Sequence, residues 1–170
     1  MITITIRRAI SDDAARISEL GATIFVQSYQ HPYDQQDMDA YLDETFSKKR
    51  ITEEISSKTA YYYVAETDLI VGFVKFNTYM WTPRYKGKIT FEVERLYIQK
   101  NMEGQNIGRQ LMATTLETAQ QKSYKIIWLS VWENNERGIR FHQQHGFIVV
   151  GDGMFTLGKQ ARKYLIMQKQ

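Results

Sequence analysis

Leu96-Tyr97-Ile98-Gln99-Lys100-Asn101-Met102-Glu103-Gly104-Gln105-Asn106-Ile107-Gly108-Arg109 joins a strand-like run to a helical one, and the fold depends on how this junction is read. It carries Gly104 and Gly108 with Asn106 between them. Glycine permits positive φ and lets backbone approach a ligand closely. The first N–H groups of a helix lack internal partners and attract anions. A strand, a glycine loop and a helix in that order therefore suggest a pyrophosphate cradle. Arg109, in the first helical turn, could add a charge-assisted contact. Two glycines at such a junction also occur as plain tight-turn chemistry. The spacing fits neither the dinucleotide fingerprint G-x-G-x-x-G nor the P-loop.

Working outward, Ile107, Leu111, Met112, Leu116 and Ala119 form an apolar stripe at helical spacing. Lys125 to Trp132, KIIWLSVW, is a nearly continuous apolar run, as expected of a strand covered on both faces. A helix is expected from about Asn135 to Gln144, with Gly146 as its C-cap. Two strands, 147–150 and 154–167, close the chain. Upstream, Ile89 to Gln99, Ile70 to Tyr79 and Tyr61 to Glu66 read as strands, with a turn near Thr67-Asp68 and punctuation at Thr82-Pro83 and Gly87. Residues 2–9 read as a strand, and Ser11 as the N-cap of a helix over 12–27, with Asp12 and Asp13 favoured by its dipole. Met38, Tyr41, Leu42 and Phe46 predict a second helix, Ile51 and Ile55 a third. The expected class is α/β: one domain over 1–170 with a mixed sheet, antiparallel strands first and a parallel pair joined by a right-handed crossover later.

The 170 residues are 43% hydrophobic and 24% charged, ordinary for a globular protein. Without cysteine, disulfides, thiolate metal sites and a cysteine nucleophile are excluded. The N-terminal MITITIRRAI has no apolar signal region, and no stretch reaches the roughly 20 apolar residues of a membrane span, so a cytoplasmic protein without membrane partner is expected. A net charge of +3, with Lys and Arg not clustered among aromatics, does not favour nucleic acid. The charge is unevenly spread: Asp34, Asp37, Asp39, Asp43 and Glu44 precede Lys48-Lys49-Arg50, with no cation between 28 and 47. This is either a solvated helix face or an acidic wall for a cationic molecule.

Asn135-Glu136-Arg137-Gly138-Ile139-Arg140-Phe141-His142-Gln143-Gln144-His145-Gly146-Phe147 resembles the second acetyl-CoA motif of the GNAT N-acetyltransferase superfamily. The first junction resembles that superfamily's [Q/R]-x-x-G-x-[G/A] motif at Glu103, Asn106 and Gly108. Residues 20–60, FEVERLYI and WLSVWENNE are also similar to the bacterial Pai-type spermine/spermidine acetyltransferases. The resemblance implies a sheet that splays between strands 89–99 and 125–132, with acetyl-CoA as cosubstrate in the gap. It implies that Leu96, Tyr97 and Ile98 pair with the pantetheine arm. The pyrophosphate would sit on Gly104, Gln105, Asn106, Ile107, Gly108 and Arg109, and Asn135 would contact the arm. Three residues depart from the pattern: Glu103 for Gln or Arg, Asn106 for glycine, and His142 for the tyrosine that protonates departing thiolate. Asn tolerates the left-handed region best among non-glycine residues.

Moving an acetyl group from a thioester to an amine needs a neutral amine, a polarised carbonyl, a stabilised negative charge and a departing thiolate. Glu92 and Glu94, alternate on one strand, share a face, and Glu94, nearer the splay, is the favoured base. Either could instead be ion-paired with Lys86, Lys88 or Arg95. By resemblance the Leu96 N–H would polarise the thioester oxygen. His142, with a reference pKa of about 6.5, could be the general acid or a structural residue; His145 suits a helix end and His31 a loop. No metal-ligand spacing and no hydrolase elbow is present. Tyr29, Asp34, Asp37, Tyr41 and Glu44 are the expected acceptor-binding residues, favouring a cationic amine such as a polyamine. A peptide N-terminus, an amino acid or an aminoglycoside is the alternative acceptor, and a non-catalytic acetyl-CoA sensor the rival reading. The edge of the C-terminal strands could allow a homodimer.

Overall fold

Burial follows the apolar periodicity closely. In the computed structural model, which describes residues 3–29, 33–78, 83–85 and 88–170, the strands are β1 (Thr5–Arg8), β2 (Ala60–Glu66), β3 (Ile70–Asn77), β4 (Phe91–Ile98), β5 (Ile127–Trp132), β6 (Phe147–Leu157) and β7 (Gln160–Lys169). The helices are α1 (Ala14–Tyr29), α2 (Gln35–Phe46), α3 (Lys48–Ser56), α4 (Ile107–Gln121) and α5 (Glu136–Gln144). The expectations placed on Ile2, His31, Tyr79, Thr82, Lys86 and Gly87 lie outside the described residues. Among the described residues no helix is long and apolar enough to cross a membrane.

One sheet runs in the order β1-β2-β3-β4-β5-β7-β6. All its pairings are antiparallel except β4 with β5. That parallel ladder covers only Phe91↔Ile127 and Glu92↔Trp128, after which the strands separate. The expected mixed, splayed sheet is therefore present. On one face the stripe of α4 (Ile107, Leu111, Met112) packs on Val74, Phe76, Phe91, Val93 and Leu129. On the other, Ile17 and Leu20 of α1 and Ile51 of α3 pack on Tyr62, Val64 and Phe73. Each large side chain so buried contributes about 1.5–3 kcal/mol of transfer free energy.

Three local readings need correction. Ser11 lies in a 3₁₀ turn, Ser11–Asp13, and α1 starts at Ala14. The Asp13 carboxylate accepts the Ile10 N–H at 2.8 Å, held there by two bonds from Arg7 at 2.7 and 2.9 Å. At the C-terminus the strand break falls at Gly158-Lys159, not near Gly151–Gly153. Leu157 pairs with Gln160 across a two-residue turn, and Gly158 supplies the positive φ of 57° that such turns favour. The Gly151 region is absorbed as a register shift, so β6 runs on through it. The third correction is a bulge on β4. Lys75 faces Arg95 but Phe76 faces Val93, which leaves Glu94 as an extra residue and breaks strict alternation.

Candidate functional site

Two clefts meet along β4. The first, of about 720 Å³, opens where β4 and β5 part. Its lining includes Leu96, Tyr97 and Ile98 of β4, Met102 to Gly104 and Asn106 to Arg109 of the junction, Trp132, Asn135, and Phe141 and His142 of α5. Gln99 N–H donates to the Val71 carbonyl at 2.8 Å, and the register stays regular from Ile98 to Arg95. Alternation then turns the amides of Leu96 and Ile98 away from β3, toward the gap. Gly104 has φ 81° and Asn106 φ 63°, so the asparagine holds the left-handed conformation that glycine would supply. As N-cap of α4 it makes no side-chain cap bond, so the first amides of the helix, at residues lining the cleft, remain free for an anion. Ile107 and Gly108 are buried and Arg109 exposed in this first turn. Outward-turned strand amides, a left-handed loop and an uncapped helix start suit an extended ligand with a phosphate end.

Of the residues expected along this cleft, Gln105 alone is not part of its lining; it is exposed, its amide on the Met102 sulfur at 3.8 Å. Asn135 lines the cleft, but its Oδ1 accepts Gly138 N–H at 2.9 Å and caps α5. His142 also lines it, packed against the rings of Phe141 and Phe147. Burial, with His145 adding to it, pushes its pKa down to about 4. The ring is therefore neutral near pH 7, not partly charged as expected. Its buried Nδ1 has no hydrogen-bond partner among the described residues. His145 donates from Nδ1 to the Phe141 carbonyl, 2.8 Å away, and is half-buried at the helix end.

The second cleft, of about 680 Å³, lies between α2, α3 and the edge of β3 and β4. Glu44, Glu53, Glu54, Glu92 and Glu94 line it, against the cations Arg50, Lys75 and Arg95. Arg95 ends this lining and Leu96 begins the other, so consecutive residues of one strand join the two spaces. Lys75 is buried and bridges Glu54 and Glu94, each at 2.8 Å. Glu94 also pairs with Arg95 at 2.7 Å and accepts from Asn77 at 2.5 Å. Burial raises its pKa, but Arg95 and Lys75 outweigh that and hold it below the usual carboxylate range. Glu92 has one long contact, Asn77 at 3.5 Å. Burial, then the Glu94 charge, pushes it up to about 7. The bulge is what lets Glu92, Glu94 and Arg95 crowd one side, a consequence that simple alternation could not show.

The expected acceptor residues scatter. Glu44 lines the second cleft and Tyr29 the first. Tyr41 sits in an aromatic cluster with Phe25, Phe46 and Phe155. Asp34 is exposed at the start of α2, and Asp37 lies against Gly158 of the β6–β7 turn; neither lines either cleft. Sequence reasoning missed Lys75, Asn77, Glu53 and Glu54, whose only signal was a polar or charged side chain inside otherwise apolar or amphipathic runs. Among the described residues no group of three His, Asp or Glu side chains is arranged to hold a metal.

The family model described as acetyltransferase (GNAT) family matches residues 22–147. An uncharacterised N-acetyltransferase of Lactobacillus delbrueckii subsp. lactis is 22% identical over 170 residues, 99% of this chain and 98% of its own. A probable spermine N(1)-acetyltransferase of Bacillus subtilis subsp. natto is 31% identical over 97 residues, 54% of this chain and 59% of its own. The crystal structure of the PaiA N-acetyltransferase of Thermoplasma acidophilum in complex with coenzyme A superposes with a TM-score of 0.79 at 22% identity, covering 99% of each chain.

Proposed function

The chain belongs to the GNAT acetyltransferase family and is an N-acetyltransferase that uses acetyl-CoA, and from that premise we propose that its acceptor is a small cationic primary amine of the polyamine class. The observation that carries this reading is the second cleft, where five carboxylates face three cations directly beside the splayed strands. Carboxylates at the rim attract ammonium groups, and Glu44 and Glu53 are exposed there without an ion pair or side-chain hydrogen bond among the described residues. The partial similarity to a probable spermine acetyltransferase supports the same class.

Acetyl-CoA supplies an acetyl group activated as a thioester. The cofactor arm is assigned to the open edge of β4 at Leu96, Tyr97 and Ile98, and its pyrophosphate to the amides of Gly104 to Arg109, with Gln105 contributing backbone only. The Leu96 N–H, turned into the gap, would donate to the carbonyl oxygen. An alkylammonium, with a pKa of about 10.4, must lose a proton before its nitrogen can bond to the acetyl carbon. Glu92 takes that proton: it is lightly partnered, and burial sets its pKa near the working pH, where a general base is most effective. Glu94 is spent on Lys75, Arg95 and Asn77 and fixes the cleft's geometry instead. His142, neutral, offers a hydrogen bond rather than an imidazolium proton, so the thiolate departs without a strong acid.

A second reading rests on Arg95, whose buried Nη1 has no partner among the described residues. A carboxylate on the acceptor, as in an amino acid, would satisfy it. Thiol release measured with spermidine, spermine, amino acids and short peptides separates the two. The polyamine reading expects the highest kcat/KM for spermidine or spermine. It also expects E44Q/E53Q to raise KM for that amine about threefold to tenfold, with KM for acetyl-CoA unchanged. Preference for an amino acid, lost in R95K, would replace it.

A further inference from the structure

Glu103 sits at the lip of the first cleft, just before Gly104, where a phosphate end would enter. A carboxylate there opposes any anion bound on the adjacent amides. In the structure it is not left bare: the Arg137 guanidinium, from the first turn of α5, reaches across and pairs with it. The two residues come from opposite sides of the cleft mouth, one on the junction before α4 and the other on the helix after β5. Both side chains are substantially exposed, 36% for Glu103 and 69% for Arg137. An exposed ion pair of this kind is worth little and is easily exchanged. A phosphate carries more charge than a carboxylate and takes a guanidinium fork in a stronger, two-pronged contact.

We propose that Glu103 is a built-in stand-in for a cofactor phosphate: it holds Arg137 at the cleft mouth in the free protein and surrenders it to a phosphate of acetyl-CoA on binding. Arg137 is thus a binding residue for the nucleotide end, and Glu103 a competitor that lowers affinity and eases release of CoA. The exchange rests on the cofactor assignment alone and not on the acceptor.

The two roles open to Arg137 predict opposite patterns in a double-mutant cycle read by isothermal titration of acetyl-CoA with the intact protein. Under exchange, E103Q binds acetyl-CoA several-fold tighter, because Arg137 no longer has to leave a partner. R137Q then costs more in the E103Q background, about tenfold or above, than in the wild-type background. If Arg137 only neutralises Glu103, R137Q weakens binding in the wild type and has no effect once residue 103 is glutamine, which overturns the proposal. Equal thermal melting of the four proteins shows that exposed side chains alone were changed. Repeating the cycle with acetyl-dephospho-CoA assigns the phosphate. An Arg137 effect lost with this ligand places the guanidinium on the 3′-phosphate; an effect retained places it on the pyrophosphate. Wild-type protein that binds neither ligand would refute the cofactor assignment itself, a result distinct from failure of the exchange.

Discussion

The two clefts that share β4 are built from different materials. The first cleft, proposed for the cofactor, is made of backbone: strand amides turned into the gap, two residues with positive φ, and an uncapped helix start. The second cleft, proposed for the acceptor, is made of charged side chains delivered by α2, α3, β3 and β4 and locked by Lys75 between Glu54 and Glu94. Backbone geometry follows from local sequence, so the first cleft is carried by short motifs. A charge network depends on which elements meet, so the second can vary while the fold persists. The energetic consequence is also opposite. Burial lifts the pKa of a carboxylate, Glu92, in the second cleft and lowers that of an imidazole, His142, in the first.

The sharpest break between the two would come from E92Q. Loss of a general base should lower kcat/KM by about 10²–10³-fold, while acetyl-CoA affinity measured by titration stays as in the wild type. In the wild type, activity should rise with pH and level off above about 7 as Glu92 loses its proton. An active E92Q with an unchanged profile would move the base elsewhere.

Stability should separate the clefts next. Glu92 binds its proton more tightly when folded, about 7 against an ordinary 4.5. Its contribution is complete below about 4.5 and is lost as pH rises through about 7. His142 binds its proton less tightly when folded, about 4 against 6.5. Its contribution is present above about 6.5 and is lost as pH falls through about 4. Each effect is on the order of 3 kcal/mol. Denaturant titrations should therefore show E92Q flattening the alkaline side of the stability curve and H142F flattening the acid side. Parallel curves for the three proteins would contradict the burial argument.

The smallest expected effect belongs to Asn135. Because its side chain caps α5, N135A should cost about 1 kcal/mol of stability. Acetyl-CoA binding should then weaken only through the loosened helix. Unchanged stability with a large loss of affinity would make Asn135 a direct cofactor contact instead.

Several elements were legible because their signals are local. The α4 stripe, the KIIWLSVW run and the glycine junction predicted the crossover, the resemblance implied the splay, and Asn106 adopts the left-handed conformation its side chain tolerates. Gly146, expected as a C-cap, has φ 81° just beyond α5. Ser11 and the Gly151 segment misled because capping and turning were taken over by partners distant in sequence, Arg7 with Asp13 in one case and the β7 pairing in the other. Asp34 and Asp37 were grouped with Glu44 on sequence proximity, yet α2 carries them past the cleft toward the β6–β7 turn.

The residues alone determined the strand-loop-helix junction and the parallel crossover, since periodicity and positive-φ tolerance are properties of short stretches, and two short motifs carried the resemblance to the family. Tertiary structure decided the protonation of Glu92 and His142, the commitment of Glu94 to Lys75 and Arg95, and the partner of Glu103. Those depend on a register slip at one bulge, on which elements meet across the clefts and on how deeply each group is buried, and electrostatic free energy is set by neighbours in space.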